Sequence, residues 1–347
     1  MKNGMNRREF LKVSAVTGAL FLAGDLLRGD PMVYGAVNIP EAEKITITIV
    51  MDNYIDPTRP SRKIDIRYTG AGGGGPLYAQ HGLSCHIEPI VNGRSHPFLF
   101  DFGNTFPGTS RNMDALKIDF EKLEALGLSH GDADHWGALV ELLKSRREKI
   151  PKGIPFYVGE ETFAERSSKQ PDGIRKSPQL KKEDIEGLGF VKVVEIKDPT
   201  SIVSGAYLTG RIERVTDYEK GKPQALIKRG DNLEHDDYIG EQAVVLNLKG
   251  KGLVVLSGCA HAGIVNTVKY AERITGVGKV HAIMGGFHLT GAEEEIIQRT
   301  VSDIKTMAPD YIMPMHCTGF EALGAFAKMM PDQFIFNTAG TKYIFTS

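Results

Sequence analysis

The chain has 347 residues, 41% hydrophobic and 24% charged, with a formal net charge of −1 and a pI near 6.8. That length accommodates one large domain or two small ones, and the composition is that of a globular protein with a full core. A balanced charge with no basic stripe excludes the electrostatic footprint of a nucleic-acid binder, so the expected partner is a small-molecule substrate.

The first residues read Asn6-Arg7-Arg8-Glu9-Phe10-Leu11-Lys12, followed by the apolar stretch Val13 to Ala23. Paired arginines, a Phe-Leu step and a short hydrophobic region predict a twin-arginine signal peptide over residues 1–36, with cleavage near Gly35 or Ala36. Gly18, Gly24 and Asp25 interrupt the apolar run, which is too short for a membrane span. The expectation is a periplasmic or otherwise extracytoplasmic protein that meets the twin-arginine translocase during export. Residues 37–347 then remain as one catalytic domain. Its three cysteines, Cys85, Cys259 and Cys317, make no disulfide framework.

The mature part opens with Ile45-Thr-Ile-Thr-Ile-Val50, whose period of two predicts a strand. Gly70-Ala-Gly-Gly-Gly-Gly75-Pro76 has no Gly-Lys-Ser/Thr after it, so it reads as a loop over or near a site, not a phosphate cradle. Strands are expected at 83–91, 97–102 and 123–128, with a helical stretch around 112–115. From about 141 to 237 lysine, arginine, glutamate and proline dominate, which predicts a solvated insertion of helices and loops. Apolar runs at 243–248, 253–256, 280–284 and 311–315 then follow, with helices at about 265–275 and 293–307 separating the last three. Strands followed by alternating strands and helices fit a layered α/β domain with ligands at strand ends.

The strand ending at Leu128 runs into Ser129-His130-Gly131-Asp132-Ala133-Asp134-His135-Trp136-Gly137. Four imidazole or carboxylate donors within six residues can serve two metal positions, His130 and Asp132 at one, Asp134 and His135 at the other. These donors suit zinc, iron or manganese. Three later strands each end in small residues followed closely by histidine: Ser257-Gly-Cys259-Ala-His261, Gly285-Gly-Phe-His288 and His316-Cys317-Thr318-Gly319. A lone histidine is more often a structural hydrogen-bonding group than a ligand; three such strand ends imply a shared edge.

His-x-Asp-x-Asp-His after a strand resembles the signature of the metallo-β-lactamase superfamily, with Asp132 in place of its second histidine. The stretches Asp52-Asn53, His81-Gly-Leu-Ser84, Phe100-Asp101-Phe-Gly103, Gly210-Arg-Ile-Glu-Arg214, Glu241-Gln-Ala243, 257–263, 285–289 and 316–319 are similar to the dihydropterin ribofuranosylaminobenzene phosphate synthase subfamily. The resemblance spans roughly residues 45 to 345 and implies an αββα sandwich carrying two divalent metal ions. By it, His130, Asp132 and His261 hold the first metal, and Asp134, His135 and His316 the second. Cys259 stands where the superfamily usually has a bridging aspartate; a thiolate ligand and an inert buried thiol both stay open. His288 is implied in the substrate pocket and as a proton donor, with Thr318 beside it. Asp101 is implied behind the ligands, orienting a ligand histidine. Arg214 is expected to bind an anionic substrate or to form an ion pair.

Two such cations acidify a shared water, and the resulting metal-bound hydroxide is expected to attack a phosphoester, lactone or thioester, with Asp134 orienting it. The alternative that the subfamily implies is a transferase: loss of diphosphate from a hydroxymethylpterin diphosphate and attack by an aryl ribofuranoside. The third reading is a protein that binds metal or ligand without catalysis.

Overall fold

The computed structural model describes residues 37–70 and 73–347, and the twin-arginine segment expected over residues 1–36 lies outside them. Two large sheets form the body. In the first, strands run in the order 191–196, 154–159, 125–127, 98–102, 84–91, 44–51, 342–346 and 65–66, with 94–95 paired to 84–91. The second runs 200–203, 206–208, 244–248, 252–257, 280–286 and 311–315.

Alternation along each strand assigns its residues to two layers. Ile45, Ile47, Ile49, Phe98 and Phe100 meet Leu246, Val254, Leu256 and Met284 of the opposite sheet in the central core. The intervening residues face outward. Val50, Leu99 and Phe156 pack with Met113, Leu142 and Ile185 of the helices Phe106–Ala115, Leu139–Ser145 and Lys182–Glu186. Val245, Val255 and Ile283 pack with Val268, Val301 and Phe326 of the helices Ile264–Thr275, Glu294–Thr306 and Phe320–Met329. A side-chain period of two in the strands and an apolar stripe on each helix therefore produce the expected αββα sandwich. Among the described residues no helix is long and apolar enough to cross a membrane.

The 141–237 stretch departs from the helices and loops expected of it. Ile154–Gly159 and Val191–Ile196 extend the first sheet, and Thr200–Val203 and Ala206–Leu208 extend the second. Asn232–His235, Ala225–Arg229, Arg166–Gln170 and Gly173–Lys176 form a separate four-stranded accessory sheet. Strands such as Arg166-Ser-Ser-Lys-Gln170 carry polar residues on both faces, so their side chains show no alternation and the backbone ladder alone defines them. The glycine loop also differs from expectation. Its described residues touch Tyr68, Arg111 and Ala115, not the histidines.

Strands 98–102, 125–127 and 154–159 are mutually parallel, as are 252–257, 280–286 and 311–315. Ligands of open α/β sheets collect outside the carboxyl ends of parallel strands. His130, His261, His288 and His316 all follow such ends.

Candidate metal centre

The segment after strand 125–127 is fixed from both sides. Asp101 accepts hydrogen bonds from Ser129 N at 2.7 Å and Ser129 Oγ at 2.8 Å, while Gln242 N donates to Ser129 O at 2.9 Å. Gly131 is required by close approach: a Cβ there would collide with the Arg166 guanidinium and the Thr162 carbonyl. A single helical turn, Ala133–Trp136, then swings Asp134 and His135 toward the later strands.

Two donor groups result. In the first, His130 Nε2 lies 3.7 Å and His261 Nε2 3.9 Å from Asp132 Oδ2. The Nδ1 atoms of these rings are engaged, His130 with Ser129 Oγ at 2.8 Å and His261 with Glu241 Oε1 at 3.0 Å. Both Nε2 atoms are buried without a hydrogen-bond partner. In the second, Asp134 Oδ2 lies 3.2 Å from His316 Nε2 and 3.7 Å from His135 Nε2, and the two Nε2 atoms are 3.2 Å apart. Asp52 Oδ1 accepts from the His316 backbone N–H at 2.9 Å, and Asn337 holds its other oxygen. Cys259 belongs to both groups: the donor atoms of Asp134, His135, Cys259 and His316 all lie within 4.8 Å of one another, as do those of His130, Cys259 and His261.

Orphaned buried imidazole nitrogens that converge on carboxylates fit divalent cations. Unpartnered polar atoms are costly when buried, and a cation would satisfy all of them at once. The electrostatics agree. Burial would raise both carboxyls, yet His130 and His261 hold Asp132 well below the usual carboxylate range, and His135 and His316 do the same for Asp134. Burial lowers His261 to about 4, so it is a neutral donor at pH 7. Burial acts the same way on His135, but Asp101 and Asp134 outweigh it and lift the ring to about 10. Burial also pushes the Cys259 thiol up. A metal entering there must displace protons, so its affinity rises with pH.

Several residues at the centre sit in the left-handed backbone region: Asp101 at φ 59°, Ala260 at 57°, His288 at 47° and His316 at 53°. Asp101 is the penultimate residue of strand 98–102 and the other three follow strands, where the bend turns the chain edge toward the donor groups. Gly286 makes room for the last of these, because a Cβ there would meet the Cys317 Sγ and the His316 ring.

The remaining expected residues separate into two sets. Asp101 Oδ2 lies 2.7 Å from His135 Nδ1, directly behind a donor histidine. His288 is close in, its ring 4.3 Å from that of His261 and its Nδ1 buried without a partner; it also groups with Cys259 and Cys317. Thr318 and Arg214, expected to face substrate, are engaged with backbone. The Thr318 hydroxyl donates to Met315 O and accepts from Phe287 N, which ties two strand ends together. Arg214 Nη2 donates to the carbonyls of Asp237 and His261, bracing the His261 main chain, and forms no side-chain ion pair among the described residues.

Sequence reasoning gave no role to three neighbours. His81 Nε2 lies 3.3 Å from Asp134 Oδ2, and its ring stacks on His316 at 4.7 Å; its bond to Asp134 raises its pKa. The Tyr238 ring stacks on His261 at 3.8 Å while its hydroxyl reaches Asp132 at 3.1 Å. Glu241 accepts from His261 N and Ala262 N as well as facing His261 Nδ1. His81 and Glu241 lay in stretches that carried the resemblance; Tyr238 had no sequence signal.

No family model matches the chain. It is 33% identical over 268 residues, 76% of this chain and 90% of the relative, to 7,8-dihydropterin-6-methyl-4-(β-D-ribofuranosyl)aminobenzene-5'-phosphate synthase of Methanocaldococcus jannaschii. An uncharacterized protein of the same organism is 29% identical over 267 residues, 76% of this chain and 93% of that protein. Among solved structures, a metal-dependent hydrolase of the β-lactamase superfamily superposes with a TM-score of 0.66 at 22% identity, covering 87% of this chain and all of that one. The chain belongs to the metallo-β-lactamase fold superfamily, in the family of the dihydropterin ribofuranosylaminobenzene phosphate synthase.

Proposed function

We propose that this protein is a metal-dependent hydrolase acting on a phosphoester, lactone or thioester. The observation that carries the reading is the pair of donor groups, His130/Asp132/His261 and Asp134/His135/His316, joined at Cys259 on one sheet edge. When bound, two divalent cations would acidify a water and stabilise negative charge developing on the substrate. Asp134, held by His135, His316 and His81, would orient the attacking group. His288, with a free buried Nδ1, and His81, more exposed and raised by Asp134, are placed to pass a proton to the departing group.

A second reading, favoured by the 33% identical relative, is a transferase that joins a dihydropterin to an aryl ribofuranoside phosphate. The same centre would then assist departure of diphosphate in place of attack by water. Purified protein loaded with manganese, iron or zinc, given bis(p-nitrophenyl) phosphate, a homoserine lactone and an acyl thioester, tests the first reading. Incubation with a hydroxymethyl-dihydropterin diphosphate and the aryl ribofuranoside tests the second. Turnover of the pterin pair alone would replace hydrolysis by transfer, and turnover of neither set would overturn both.

A further inference from the structure

Beside Asp132 and Asp134 lies a cavity of about 170 Å³, whose outer wall is Ser167, Ser168, Ser177 and Lys222 from the accessory sheet and its flanks. Drug-sized ligands fill roughly 300–1,000 Å³, so this space takes one end of a substrate. Two cations line it. Arg166 is committed, its Nε 2.8 Å from Asp236 Oδ2 with both side chains buried. Lys222 is half-buried, with no ion-pair partner among the described residues.

The turn that carries Lys222 is firmly attached to the centre. Glu219 accepts from the backbone N–H groups of Val265 and Asn266 at 2.9 Å each, at the start of helix Ile264–Thr275. Gly221, at φ 76°, lies against the His261 carbonyl and the Arg214 guanidinium, where any side chain would crowd them. Lys222 therefore follows a residue packed on the His261 main chain and stands on a braced segment. Such a segment loses little freedom when a ligand arrives.

We infer that Lys222 is the anion anchor of the substrate pocket, and that Ser168, on the Arg166 face of its strand, and Ser177 complete a subsite for a phosphoryl group next to the metal centre. A point charge with hydroxyl donors beside it suits a tetrahedral oxyanion, which offers more acceptor oxygens than a carboxylate can. The inference rests on reading the cluster as the reaction centre, since it places the phosphoryl group of the substrate beside the reacting atoms.

Inorganic phosphate is the probe, titrated calorimetrically into the metal-loaded full chain. Lys222→Ala should weaken phosphate by about ten-fold or more, the worth of one charged contact. Lys222→Arg should recover most of that loss, metal content should stay unchanged in both, and acetate should bind more weakly than phosphate. Equal phosphate affinity in wild type and Lys222→Ala, or acetate bound as tightly as phosphate, overturns the assignment. A protein that turns over no substrate but still shows Lys222-dependent phosphate binding supports the anchor while removing the catalytic reading.

Discussion

Asp101 and His135, both fully buried, are joined through Oδ2 and Nδ1 at 2.7 Å. With metal bound the ring would be neutral, and the bond would keep its proton on Nδ1 and aim Nε2 at Asp134, Cys259 and His316. Carboxylates behind metal-binding histidines typically contribute about 10–100-fold to metal affinity. Asp101→Asn keeps the shape and removes the charge, so metal affinity measured by competition with a chromophoric chelator should fall by about that factor. Unchanged affinity would show that the bond does not act on the metal.

Asp132 presents a hard anionic oxygen where most superfamily members have imidazole, which favours iron or manganese over zinc. Elemental analysis of protein purified without added metal should find about two metals per chain with iron or manganese prominent. Asp132→His should move the preference toward zinc with the fold intact. Stoichiometric zinc alone in the wild type would contradict the role given to Asp132.

Cys259 Sγ lies 3.2 Å from His135 Nε2 and belongs to both donor groups, the position a shared ligand would occupy. Cys259→Ala should lower the stoichiometry from about two metals to about one, and Cys259→Asp should restore it. If the alanine variant keeps both metals, the thiol is a packing residue.

The centre was legible where chemistry and strand pattern coincided. His130 through His135 stand out because four donors follow an apolar strand, and Asp101 because it ends one. Away from such strands a polar side chain is harder to place from sequence. Arg214 looked like an anion binder, and only the fold shows its guanidinium on the Asp237 and His261 carbonyls. Tyr238 is remote in sequence from every histidine it touches, and tertiary packing alone brings its ring onto His261. The accessory sheet was hidden for a different reason: its strands Arg166–Gln170 and Gly173–Lys176 are mostly polar without alternation, and sequence periodicity reports burial, not ladder hydrogen bonds.

His86, on strand 84–91 and away from the donor groups, sets a pH dependence of its own. Burial lowers its pKa from 6.5 to about 4. Between those values the unfolded chain binds the proton and the folded chain does not, so stability rises with pH and is lost as pH falls from 6.5 toward 4. His86→Asn removes that titration. The difference in Tm between pH 7 and pH 4.5 should then narrow by roughly 2 °C or more, by thermal denaturation of the metal-free protein. An unchanged gap would place the acid sensitivity elsewhere.

The left-handed backbone at Asp101, Ala260, His288 and His316 sets robustness against activity. Each such residue costs on the order of 1 kcal/mol that glycine would not. A library evolved for heat tolerance alone would therefore be drawn to glycine at these positions, His316 and His288 included, and its hardiest members would have lost the imidazoles of the centre. Ala260 offers no donor atom, which makes it the one place among the four where stability could be gained without surrendering chemistry.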